Sequence, residues 1–292
     1  MLKRVALVAG LVGALGICAA PAGAQSTNCN KSGQCVFAGG CPMPFGDDGG
    51  NTTCNKSAEG CEAKIGGLVA KTVAAVIKCH GKQASAAFKT ANGKPTTFDE
   101  ETCENTAING PKGFVASAAA AQAKDTTGAC GCVGVSTIAG LIGSILDSQN
   151  QLVFCDGSTP IDPSGDDTGT FNPADSTGFK AMVKAGTCVS KLVATWEKCH
   201  ATFAKNVLKN KVDPTDPGNT DEICEGDGDS SNPKGAVEAF QACMTKLAAK
   251  GLPACVQVGS PNYNAILATT QTQLDGANGL VYCASPSGAF VQ

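Results

Sequence analysis

The chain has 292 residues, 17 cysteines, only 5% aromatic side chains and a formal net charge of −3. Its single arginine, Arg4, sits at the extreme N-terminus, so the chain lacks the planar forks that read phosphate and guanine bidentately, and nucleic acid is excluded as an expected partner. No segment approaches the roughly 20 apolar residues of a bilayer span, so no transmembrane segment is expected.

Lys3 and Arg4 precede an apolar run from Val5 to Ala20, and Ala22-Gly23-Ala24 follows before Gln25. This pattern predicts a secretory signal over residues 1–24, cleaved near Ala24, and a secreted or periplasmic product. Lipidation at Cys18 competes with it, because Leu15 stands three residues ahead, but Ile17 directly before the cysteine disfavours that processing. Cleavage leaves 16 cysteines, and it leaves twenty lysines against twenty-five carboxylates. An even count in an exported chain is the arithmetic of a disulfide framework, here eight bridges.

Residues 25–60 read as a cysteine-rich, irregular N-terminal cap. Cys29, Cys35, Cys41, Cys54, Cys61 and Cys130 supply its three bridges, with Cys130 fastening the cap to the helical part of the chain. That remainder contains itself twice. Lys71–His80 (KTVAAVIKCH) returns as Lys191–His200 (KLVATWEKCH), EETCE around Cys103 as DEICE around Cys224, and Leu146–Cys155 (LDSQNQLVFC) as Leu274–Cys283 (LDGANGLVYC). Two copies of one helical unit are expected, over residues 61–156 and 177–292. The segment 157–176, rich in Pro, Gly, Asp, Ser and Thr, reads as a linker without a core of its own.

In the first copy Ile65, Leu68, Val69, Val73, Val76 and Ile77 recur at helical intervals, and Met182, Val189, Leu192, Val193 and Trp196 match them in the second. Lysines every seventh residue, at 64, 71 and 78 and at 184, 191, 198 and 205, mark the wet face of each helix. A second helix is expected near Pro111 and Pro233, with Asn232 as an N-cap. A third runs from about Ser136 or Asn262. The fold class is all-α: two tandem, disulfide-stapled small helical bundles related by internal duplication. If the copies share a fold, Cys79, Cys103, Cys132 and Cys155 form two bridges in one and Cys199, Cys224, Cys255 and Cys283 two in the other. Cys188 and Cys243 have no counterparts and are expected to pair with each other.

The only histidines, His80 and His200, occupy the same place in the two KCH motifs. On an apolar helix face each reads as a core residue or as a ligand, and imidazoles meeting across the two copies would suit a transition metal or haem. Asp227, Asp229, Ser231 and Glu238 fall at calcium-loop intervals, although Asn232 and Pro233 interrupt the pattern. No nucleophile elbow, C-x-x-C pair, H-E-x-x-H or phosphate loop occurs, so no catalytic residue and no enzyme are expected. The expected function is a secreted, non-enzymatic structural or binding protein. The alternative is an extracellular carrier of a small apolar ligand, metal or haem, which a cavity between the helices would favour. Candidate partners are therefore a small apolar ligand or an extracellular protein.

Overall fold

The computed structural model describes residues 43–44, 50–53, 55–163, 165–209, 211, 221–226 and 235–283. The expected signal segment, Cys18, and the cap cysteines Cys29, Cys35, Cys41 and Cys54 lie outside the described residues, as do Asn232 and Pro233. The described chain is all-α. It comprises α1 (Lys56–Ala91), α2 (Glu100–Asn109), α3 (Phe114–Gln122), α4 (Val135–Gln149), α5 (Ser176–Leu208), α6 (Glu222–Glu225), α7 (Ala236–Ala248) and α8 (Pro261–Ala277). Short 3-10 turns at Ala129–Cys132 and Asn150–Leu152 flank α4, and others at Ala254–Val256 and Asn278–Leu280 flank α8. Two small antiparallel ribbons complete the chain: β1 (Met43–Pro44) with β2 (Asn51–Thr52), and β3 (Thr159–Pro160) with β4 (Thr170–Phe171). Among the described residues, no helix is long and apolar enough to cross a membrane.

The two long helices begin where side chains satisfy their first free N–H groups. Asn55 Oδ1 accepts from Ser57 N at 2.8 Å and Ala58 N at 3.2 Å. Asp175 Oδ1 accepts from Thr177 N at 3.0 Å and Gly178 N at 2.9 Å. Every lysine of the seven-residue rows is exposed, as the periodicity predicts. The helices pack antiparallel, with residue 66 meeting 197 and residue 77 meeting 186. A Cβ on Gly186 would stand 3.0 Å from Ile77 Cγ2, and one on Gly66 2.8 Å from Glu197 Oε2. Glycine at these two crossings lets the helix backbones approach closely.

Both cores draw on both halves of the chain. One joins Ile65, Val69, Phe114, Ile138 and Ile142 to Phe203, Val207 and Tyr282. The other joins Phe154, Ile161 and Phe171 to Met182, Leu192, Trp196, Phe240 and Met244. Each large apolar side chain so buried contributes roughly 1.5–3 kcal/mol. The linker expectation is therefore corrected. Ile161 and Phe171 are fully buried, because β3 and β4 fold over the end of α4, and Thr170 N donates to Phe154 O at 2.8 Å. On the other side Asn51 N donates to Tyr282 O, also at 2.8 Å.

Among the described residues, all twelve cysteines are bonded in six disulfides, a framework that forms in an oxidising compartment. Cys188–Cys243 is present as expected, and Cys130 bonds Cys61, which lies in α1 itself. Cys79–Cys103 and Cys199–Cys224 each close a loop within one half. The expectation of a second bridge inside each half is corrected: Cys132 bonds Cys283 and Cys155 bonds Cys255, crossing between the halves. The end of each half packs on the other, so the matching cysteines face each other across the interface. In the chain-entropy model a loop of Cys79–Cys103 size contributes roughly 3–4 kcal/mol and the crossing bridges roughly 5 kcal/mol taken singly.

Asp125 clamps the Ala129–Cys132 turn to the start of α1. Its carboxylate accepts from Cys130 N at 2.8 Å, Ser57 Oγ at 2.7 Å and Thr127 Oγ1 at 2.7 Å. Partial burial pushes its pKa up, but these bonds outweigh it and hold the carboxyl at about 2. The folded-state pKa is depressed, so its contribution is complete above the ordinary value near 4 and is lost as pH falls through about 2. Urea unfolding from pH 6 to pH 2 should show Asp125→Asn less stable than wild type at the upper end. That gap should close as pH falls below about 4.

A candidate pair of metal centres

The buried stripe of α2 is not apolar. Glu100 and Glu104 are one helical turn apart and both are 6% exposed, with Ile108 a further turn along. They face His80, which α1 presents at 2% exposure. Asp147 from the last turns of α4 and Asp167 from the β3–β4 connection complete the group. His80 Nε2 lies 2.6 Å from Glu104 Oε1, 3.3 Å from Asp167 Oδ1, and 3.5 Å from both Glu100 Oε1 and Asp147 Oδ1. The Cys79–Cys103 disulfide joins the residue before the histidine to the residue before Glu104, fixing α2 against α1 beside the cluster. Asn150 Nδ2 donates to Asp167 Oδ1 at 3.4 Å, and Thr168 Oγ1 donates to Asp147 O at 3.0 Å. These bonds seat the connection on the end of α4.

The second half assembles a similar group. His200 of α5, 1% exposed, has its Nε2 3.0 Å from Glu225 Oε1, 3.6 Å from Asp275 Oδ1 and 3.9 Å from Asp221 Oδ2. Cys199–Cys224 again ties the residue before the histidine to the residue before the glutamate. Trp196 Nε1 donates to Asp275 Oδ1 at 2.7 Å, orienting that carboxylate. Gly50 and Gly169 both adopt positive φ where their segments pack on the backbone at Tyr282 O and Phe154 O. The sequence before them also matches, GDDGG (46–50) against GDDTG (165–169). Asp48, in register with Asp167, lies outside the described residues.

Burial of this much negative charge shifts the titrations strongly. Burial alone pulls His80 down, but the close carboxylates of Asp147, Glu104 and Asp167 outweigh that and bring it to about 10. Burial, reinforced by the neighbouring Glu104 carboxyl, raises Glu100 to about 9, and burial raises Asp167 to about 7. A neutral or singly protonated Nε2 has at most one N–H to offer, yet four carboxylates converge on it. Consistent with this, His80 Nε2, Glu100 Oε1, Glu104 Oε1, Asp147 Oδ1 and Asp167 Oδ2 are all buried without a hydrogen-bond partner of acceptable geometry. Adjacent ligand atoms around an ion with bonds of about 2.0–2.4 Å stand roughly 2.8–3.9 Å apart in octahedral or tetrahedral shells. Most of the distances to the two Nε2 atoms lie in that range, and most are longer than a good hydrogen bond.

The structure places both sequence-singled histidines in these groups, each Nε2 directed at its own carboxylates. Of the calcium-loop residues, Asp227, Asp229 and Ser231 lie outside the described residues. Glu238 stands in the first turn of α7 against the Gly226 turn, with Oε2 so close that a Cβ on Gly226 would collide with it. The ligand-type carboxylates were not among the sequence candidates. Their signal lay inside the repeated strings: EETCE and DEICE each carry acids four residues apart around a cysteine, and LDSQ and LDGA each carry one more. No protein-family model, curated protein or solved structure matches the chain.

Trp196→Phe removes the indole donor to Asp275. Loss of a hydrogen bond to a charged group should lower stability by roughly 1.5–3 kcal/mol, read by urea unfolding. Were the His200 group to hold a metal ion, loss of this supporting donor would weaken its uptake by roughly 10–100-fold, read by competition with a chromogenic chelator.

Proposed function

We propose that this chain is an exported, disulfide-stapled metal-binding protein that holds a divalent ion at each of two buried His–carboxylate centres. His80, Glu100, Glu104, Asp147 and Asp167 are the residues of one, and His200, Asp221, Glu225 and Asp275 belong to the other. The observation that carries the reading is the convergence of four carboxylates, three of them buried and Asp147 half-buried, on one Nε2, which no single proton can bond. The donor set narrows the ion. Calcium and magnesium take oxygen ligands, whereas an imidazole among carboxylates suits manganese, iron or zinc. A closed, largely dry shell and fully oxidised cysteines among the described residues support a holding role rather than catalysis. The signal-like N-terminus and the disulfides support export, and the repeated strings, element order and paired centres support an origin by duplication.

Elemental analysis of protein secreted into medium containing manganese, iron and zinc tests this reading. The expected result is close to two equivalents of a transition ion per chain, falling to one in Glu104→Gln and in Glu225→Gln. Less than a tenth of an equivalent in the wild type, even after refolding with each ion in excess, would overturn the reading. Chelator treatment should lower the unfolding temperature, because an ion bound only to the folded state stabilises it by mass action.

A further inference from the structure

The four helices α1, α4, α5 and α8 do not close completely on one another. They leave a cavity of about 150 Å³ between the halves, walled by Val73, Ile142, Val189 and Ile266, one from each helix. Apolar space of about this size, lined by aliphatic side chains, stays dry and accepts benzene or xenon. Here the lining has a polar corner as well. Asn278 borders the cavity and is 3% exposed, and among the described residues its Nδ2 has no hydrogen-bond partner. A buried amide donor without a partner costs roughly 1–3 kcal/mol unless something satisfies it. Its counterpart Asn150, at the matching place after α4, gives its Nδ2 to Asp167. Asn278 thus holds a donor in reserve at the edge of an apolar space.

We propose that this cavity is a binding site for a small uncharged molecule, about one aromatic ring in size, with a single hydrogen-bond acceptor directed at Asn278 Nδ2. The aliphatic walls take the ring, and Nδ2–H takes a carbonyl or ether oxygen. Glu197 and His80 also border the cavity, and the Glu197 carboxyl disfavours a negatively charged ligand by like charge. The site stands on the cavity and on Asn278, independently of whether the centres hold metal.

Calorimetric and NMR titration of the full secreted protein with acetophenone, benzene and benzoate tests the proposal. The expected result is one acetophenone per chain, bound roughly three- to tenfold tighter than benzene, and no binding of benzoate. Asn278→Leu should bring acetophenone to the affinity of benzene. Leu141→Trp, on the half-exposed rim, should weaken both ligands at least tenfold while leaving metal content and unfolding temperature unchanged. Val189→Phe serves as the filling variant if Leu141→Trp does not fold. Absence of binding by both neutral probes, or undiminished binding in a folded filling variant, would overturn the site. Equal affinity for acetophenone and benzene in the wild type would overturn the assignment of the acceptor to Asn278.

Discussion

Three buried carboxylates and a half-buried fourth cannot crowd one imidazole unless positive charge is held with them. Isolated ionised groups lose far more in desolvation than any nearby packing returns, so the clusters at His80 and His200 must be neutralised by protons or by cations. The surrounding structure is arranged to hold these charges close together. Two disulfides, Cys79–Cys103 and Cys199–Cys224, are placed one residue from a histidine and one from a glutamate. Covalent links at those positions oppose the separation that mutual repulsion of the carboxylates would otherwise drive. A bound ion would turn the same repulsion into coordination, and folding and metal binding would become one equilibrium.

The interlocked halves serve the same end. Asp167 reaches the first centre only because the β3–β4 connection folds over the end of α4, where buried Ile161 and Phe171 anchor it. The crossing bridges Cys132–Cys283 and Cys155–Cys255 pin the ends of both halves to one another. The crossing bridges also close the longest described loops, where a cross-link restrains the unfolded chain most.

Much of this was legible in the residues. The two long helices, their wet lysine rows, the helices near Ser136 and Asn262, and the Cys188–Cys243 bridge all follow from periodicity and counting. The α2 helix did not, because its buried stripe is Glu100, Glu104 and Ile108, and a search for apolar spacing is blind to a stripe made mostly of acids. The starts of α3 and α7 fall at Phe114 and Ala236, a few residues beyond the expected prolines, because Gly113 and Gly235 in extended backbone lead into them. The segment 157–176 misled for a related reason. Its composition is that of a turn-rich linker, and only the partner surfaces at Phe154 and α4 reveal that its few apolar residues are core. The histidines were conspicuous by rarity, whereas their carboxylate partners were hidden among twenty-five acids until the fold brought them together.

Whether a cation occupies the space among His80, Glu100, Glu104, Asp147 and Asp167 is best decided by an anomalous-scattering map. Crystals of the secreted protein would be measured at the manganese, iron and zinc edges. One peak is expected about 2.0–2.3 Å from His80 Nε2 and Glu104 Oε1, and a second beside His200 Nε2 and Glu225 Oε1. Crystals grown from metal-replete protein that show no peak at any of these edges, with His80 Nε2 donating directly to a single carboxylate, would refute the metal centres.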